Sequence, residues 1–266
     1  TIDSTANVAK DLVADIVSNP LIAKDDTELE KKIVLQEISM CENDPESYIH
    51  DLFDEVIWDG HELSQGEAGT RDVVNSLTNV DLREYYDERY RVPNLAVFAC
   101  GSVDKDDVLR WAEENFDPMS GGRPNPRKAP VLTGSAYRHY KRKGDHCYVG
   151  MGFRAFDAND DDLPALTMLN AVLGSGSSSR LFQNVREEKA LVYSIYNYVD
   201  QYTDAGSMGT YMSATEENVL DAIETTARTY RELKDGGLTD GELQRVKNLV
   251  KGALIRGMES TSRRLY

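Results

Sequence analysis

The chain has 266 residues, enough for one large domain or two of ordinary size, and its 40% apolar content is enough for a real core. Its 46 acidic against 30 basic residues leave a formal charge of −16, a field that repels nucleic acid and anionic membrane and favours basic peptides, although such a surface also serves solubility alone. No apolar run approaches the length of a membrane span and no signal peptide is visible. The sequence opens on TIDSTANVAKDL without a methionine, as a processed or truncated chain would.

In chain order, residues 4–18 place Val8, Leu12, Val13 and Ile16 at helical spacing, with Pro20 just beyond. Residues 27–41, TELEKKIVLQEISMC, form a second helical stretch, with Leu29, Ile33, Val34, Ile38, Met40 and Cys41 over one side. Glu30 and Glu37 interrupt that side. Seven residues apart, they share a face in the middle of the apolar arc, where a carboxylate loses water and must gain a cation, a metal or a set of donors. A capping box, Thr27-x-x-Glu30, accounts for Glu30 by itself. Glu37, near mid-helix, has no such account; a core arginine, or an apolar arc narrower than drawn, is its ordinary explanation.

Asp44-Pro45 opens a third helix through Trp58. A polar loop, DGHELSQGEAGT, follows, and Thr70 and Thr78 cap two further helices. Residues 94–101, NLAVFACG, read as a buried strand, and Asp104 caps a helix to Phe116. Residues 117–130, DPMSGGRPNPRKAP, hold four prolines and two glycines and form the clearest linker in the chain. Beyond it, residues 136–142 and 147–156 alternate as strands about a Gly144-Asp145 hairpin turn. An amphipathic helix over 163–173 leads through a flexible GSGSSS loop into the helix RLFQNVREEK. Two strands, LVYSIYNYVD and GSMGTYMSA, turn at Thr203-Asp204, and two long helices, 215–234 and from 239, close the chain.

The three cysteines, Cys41, Cys100 and Cys147, are widely spaced with no CxxC pair, and read as reduced core residues. The four histidines, His50, His61, His139 and His146, have no metal spacing and read as surface or loop residues. A weak repeat links the ends: a helix pair closes on DDTELEKKIVLQEIS and another on LTDGELQRVKNLVKGA. Setting Glu28-Leu29 against Glu242-Leu243 places Gln244 opposite Glu30 and Lys251 opposite Glu37. A purely structural need for the carboxylates would appear in both copies, so their presence in one points towards function.

The stretch TELEKKIVLQEISMCENDPESYIHDLF resembles the region after the zinc motif in the pitrilysin/insulinase-type peptidases, and DERYRVPNLAVFACGSVD resembles their helix-to-strand passage. GSGSSSRLFQNVREEKALVYSI resembles their most recognisable C-terminal stretch. The likeness runs along nearly the whole chain in the right order. It implies Glu37 as a zinc ligand with Glu30 supporting it, and Arg186 and Tyr193 as the pair that holds substrate. It implies an α+β fold of two homologous α/β-sandwich domains, each a mostly antiparallel sheet with helices on one face. Residues 1–120 would be the C-terminal part of the zinc-bearing domain, 121–130 the linker, and 131–266 the second, non-metal domain, incomplete at its end.

The departure is the HxxEH motif, which supplies two histidine ligands and a general base in this family and is absent from all 266 residues. A glutamate alone does not hold catalytic zinc. The resemblance therefore implies a zinc endopeptidase whose motif lies before Thr1, acting on peptides or unfolded segments, with this piece inactive by itself. The alternative is a non-catalytic peptide-binding or scaffold subunit. Such a subunit would pair, as a homodimer or heterodimer, with a related chain that bears the motif. A third reading is an acidic α+β domain unrelated to either. Nucleic acid and membrane are not expected partners. No compartment follows from the sequence beyond a slight preference for the cytoplasm.

Overall fold

The structure is a computed structural model that describes residues 5–131 and 134–265. Its regular elements are α1 (Ala6–Ser18), α2 (Lys24–Asn43), α3 (Pro45–Ile57), α4 (Arg71–Ser76), α5 (Asn79–Arg89), α6 (Lys105–Phe116), β1 (His146–Ala155), α7 (Leu163–Gly174), β2 (Ser194–Gln201), β3 (Gly206–Thr215), α8 (Val219–Gly236), α9 (Asp240–Met258) and α10 (Thr261–Leu265), with a π-helical segment over Phe182–Glu187. Two compact units emerge. Thr1–Glu37, Thr70–Arg127 and Ile255–Tyr266 make one; Ile38–Gly69 and Lys128–Leu254 make the other. The chain crosses between them at Arg127, inside the expected linker, and also within α2, before Thr70 and within α9.

In the first unit the helix starts follow local sequence. Thr70 accepts from Val73 N–H at 3.3 Å, Thr78 and Asp81 form a capping box, and Asp104 accepts from Asp107 N–H at 2.9 Å. Tyr86, Phe116 and Met119 are buried together against Val17, Ile22, Leu95, Trp111 and Ala112. The Tyr86 hydroxyl donates to Val17 O at 2.7 Å, so α5 and α1 are tied by a polar bond at the edge of that cluster. The expected strand over 94–101 does not form. A strand needs a neighbour to take its N–H and C=O groups, and the described residues of this unit contain no strand. The segment stays unpaired, with Phe98 70% exposed.

The second unit is built on an antiparallel sheet in the order β1-β3-β2, with Gly150, Tyr211 and Tyr196 in one cross-strand row. β3 is buried along nearly its whole length because both faces are covered. Met208, Met212 and Ala214 point to one face, where Leu166, Leu173, Leu181, Val185, Ala222 and Val246 complete the core. Burying each of the larger of these side chains contributes about 1.5–3 kcal/mol. On the other face Tyr211 stacks on Tyr196, and His50 of α3 packs edge-on against Tyr198. This period of two is what the alternating sequence predicted. His50 is thus not a surface histidine; its Nε2 lies 3.0 Å from the Tyr196 hydroxyl.

Residues 136–142 were expected to pair with the following strand and do not. Their basic and aromatic side chains engage α2, α3 and the turn that follows α3 instead. Arg138 reaches Asp59 at 3.0 Å, the Tyr140 hydroxyl donates to Glu55 at 2.6 Å, and Arg142 donates to the terminal carbonyls of Glu42 and Asn43 on α2. Without that strand there is no hairpin at Gly144-Asp145. The α+β class holds: helices pack against an antiparallel sheet.

Candidate functional site

The stretch from Gly174 to Tyr193 is positioned by one close approach and one ion pair. Gly174 ends α7 against β2; a Cβ there would lie 2.2 Å from the Asn197 amide nitrogen, so only glycine permits the contact. The serine loop that follows is tied down rather than loose. Gln183 Nε2 donates to Ser177 O at 2.7 Å, and Ser179 is buried. Arg180 then forks onto Glu242, with Nε to Oε1 at 2.9 Å and Nη2 to Oε2 at 3.0 Å, and also reaches Gly237 O at 2.9 Å. This arginine, followed by the Thr239 N–H, holds the Glu242 carboxyl down at about 2.

The expected regular helix over RLFQNVREEK is a π-helix over Phe182–Glu187, in which Glu188 N–H bonds back five residues to Gln183 O at 2.9 Å. Such segments recur at functional sites. Asn184 donates to Thr229 at 3.1 Å and Lys189 to Thr225 at 3.2 Å, fastening the segment to α8. Ala190 then adopts φ +50°, a left-handed conformation that costs a non-glycine residue about 1–2 kcal/mol. It reverses the chain so that Leu191 N–H meets Val185 O at 3.0 Å and Tyr193 N–H meets Ser213 O at 2.9 Å.

The two residues singled out here both face solvent. Arg186 is exposed and makes no ion pair with Glu187 or Glu188 among the described residues; its guanidinium lies over the Phe182 ring, 4.8 Å from the centroid. Tyr193 is 79% exposed and is not packed in the core. The ordinary roles open to them, a neighbour salt bridge and strand packing, are therefore not taken up. Sequence reasoning missed Phe182 and Ala190. An aromatic four residues before an arginine on a helical stretch was the available signal for the first; nothing local marks the second.

Glu30 and Glu37 lie on α2, about 10 Å apart along its axis. Neither is in the buried arc that the apolar pattern drew. Both are exposed, as are Leu29 at 59%, Ile33 at 41% and Met40 at 72%, while the buried residues of α2 are Thr27 and Ile38. The capping box is also absent. α2 begins at Lys24, so Thr27 lies inside its first turns and its hydroxyl donates to Ala23 O at 3.0 Å. Burial thus supplies no pressure for a cation beside these carboxylates. Among the described residues no group of three or more histidine, cysteine, aspartate or glutamate side chains could hold a metal. The described residues cannot by themselves hold a resident zinc, which needs three protein ligands. The cysteines are free; burial and the Asp51 carboxylate, 3.2 Å away, raise the Cys41 thiol to about 11.

A family profile described as "Peptidase M16 inactive domain" matches residues 76–250, which contain Arg186 and Tyr193 but not Glu30 and Glu37. The chain belongs to the M16 peptidase family. The resemblance to pitrilysin/insulinase-type enzymes is thereby borne out. The chain is 32% identical over 269 residues to an "uncharacterized zinc protease" of Streptomyces coelicolor, covering 98% of this chain and 58% of that protein. It is 29% identical over 265 residues to the "uncharacterized zinc protease YmxG" of Bacillus subtilis, covering 99% and 64%. It therefore spans about three-fifths of the length of these relatives. A peptidase M16 inactive domain from Pseudomonas fluorescens has the same fold, with a TM-score of 0.87 at 18% identity over 94% of this chain and 61% of that one. So does a protease from Helicobacter pylori, at 0.88 and 20% over 99% and 66%, and a chain of complex III from Candida albicans, at 0.86 and 22% over 100% and 66%. Among the described residues no helix is long and apolar enough to cross a membrane.

Proposed function

We propose that this chain is the peptide-holding part of a zinc-dependent endopeptidase that acts on peptides or unfolded segments. The observation that carries the reading is that Arg186 and Tyr193 are presented to solvent on irregular, firmly anchored backbone with neither neutralised nor buried. A guanidinium with free N–H groups and a phenol match the carbonyl-rich backbone of an extended peptide. Arg186 bonds that backbone, and Tyr193 donates to the carbonyl oxygen under attack. In this reading residues 1–120 and 131–266 belong to two homologous domains. Glu37 is one ligand of the zinc and Glu30 its support, with the HxxEH residues carried on another segment or another chain. The −16 charge favours basic peptides.

The second reading is a non-catalytic subunit that binds peptide or serves as scaffold beside an HxxEH-bearing relative. The match to a profile named for an inactive domain favours it. The two are separated by the complete protein. The enzyme reading expects about one zinc per active site and peptide cleavage, both abolished by Glu37→Gln. Normal turnover by that variant removes Glu37 from the chemistry. Peptide binding with no zinc requirement, and cleavage only after a second HxxEH-bearing chain is added, gives the subunit reading.

A further inference from the structure

We propose that Phe182 is a positioning residue for Arg186, holding its guanidinium over the aromatic face while its N–H groups remain available to peptide carbonyls; this rests on the reading of Arg186 given above. Three observations carry it. First, the guanidinium carbon lies 4.8 Å from the Phe182 ring centroid, within cation–π range. Second, the ring is not part of the core cluster: its neighbours Leu181 and Val185 are fully buried there, whereas Phe182 is only partly buried and lies outside it. A large aromatic that the core does not use is explained by the contact it makes. Third, Glu187 and Glu188 stand beside Arg186 in sequence, yet among the described residues neither pairs with it.

The choice of an aromatic over a carboxylate partner has a chemical consequence. A carboxylate would occupy two of the five guanidinium donors in a fork and cancel the charge. A ring face orders the same group through its quadrupole and leaves every donor at the edge available. Arg186 is therefore held but not spent. The fastening of the π-helix to α8 through Asn184 keeps the ring in place beneath it.

The test uses the full chain with Phe182→Leu, Phe182→Tyr and Phe182→Trp, each checked for retained fold by circular dichroism. The first readout is the Nε–Hε NMR resonance of Arg186, identified by its loss in Arg186→Lys. Ring-current shielding is expected in the parent and in the Tyr and Trp variants, and is expected to vanish in Phe182→Leu; an unmoved resonance overturns the proposal. The second readout is the affinity for a fluorescein-labelled amphipathic peptide of Leu, Ser and Arg. Phe182→Leu is expected to weaken it about 2- to 5-fold, with Tyr and Trp restoring it and no further loss on an Arg186→Ala background. If Arg186→Ala weakens binding and Phe182→Leu does not, the positioning role falls. If Arg186→Ala itself changes nothing, or the parent binds no peptide, the peptide-holding reading falls and the role of Phe182 in it with that reading.

Discussion

Replacing Glu242 with glutamine removes the charge that anchors Arg180, and with it the start of the π-helical segment. The pair is bidentate at 2.9 and 3.0 Å, and its side chains are 21% and 19% exposed. Folding lowers the Glu242 carboxyl from 4.5 to about 2, chiefly through Arg180. That displacement corresponds to at most about 3 kcal/mol at neutral pH. Solvent screening of a partly exposed pair leaves about 2 kcal/mol as the expected cost of Glu242→Gln. Because the folded carboxyl is the stronger acid, its contribution is complete above 4.5 and drains away as the pH falls through about 2. Urea unfolding of the parent and the variant across this range should therefore show a gap of about 2 kcal/mol near neutrality that closes in acid. Hydrogen exchange over residues 180–190 should rise in the variant at neutral pH. A gap that does not change with pH, or one under about 0.5 kcal/mol at neutrality, would refute the anchoring argument.

Three other substitutions test the same frame. Burial, and next the charge of Asp200, raise the Asp54 carboxyl from 3.8 to about 6, so the folded state loses stability as the pH climbs through that window. Asp54→Asn keeps the oxygen that accepts from Trp58 and should stabilise by about 1–2 kcal/mol at neutral pH but not near pH 3.8, as read from urea midpoints. Gly174→Ala forces a methyl within 2.4 Å of Asn197 Cβ and should cost about 2–3 kcal/mol by thermal or urea unfolding; a neutral result would mean that α7 does not end against β2. Ala190→Gly relieves a left-handed φ of +50° at the expense of a more flexible unfolded chain, for a net gain of about 0.5 kcal/mol in stability. A loss exceeding about 1 kcal/mol would place the Ala190 methyl in a packing role.

What could be read from the sequence was whatever a few neighbouring residues decide. The caps at Asp44, Thr70, Thr78 and Asp104 each involve donors within three residues, and the structure forms them all. The strands 94–101 and 136–142 had the right residues, but pairing depends on a distant partner. The first has none among the described residues of its unit, and the second gives Arg142 to α2 and Tyr140 to α3. The π-helix was not legible because a five-residue bond replaces a four-residue one only once Leu181 and Val185 are seated in the core and Ala190 has reversed the chain. Arg186 and Tyr193 were singled out through their motif, and the structure adds that both side chains are exposed. The burial expected of Glu30 and Glu37 failed because the apolar arc counted residue types, whereas burial depends on what lies opposite the helix.

The most direct measurement is peptide binding and cleavage by the complete protein carrying Arg186→Ala or Tyr193→Phe, followed by isothermal titration and steady-state kinetics. Loss of a charged hydrogen bond at Arg186 should weaken binding about 10-fold or more, and loss of the Tyr193 hydroxyl should lower kcat/KM about 5-fold or more, with unfolding midpoints unchanged since both side chains are exposed. Parent-like affinity and turnover in both variants would contradict the claim that these two side chains hold the peptide.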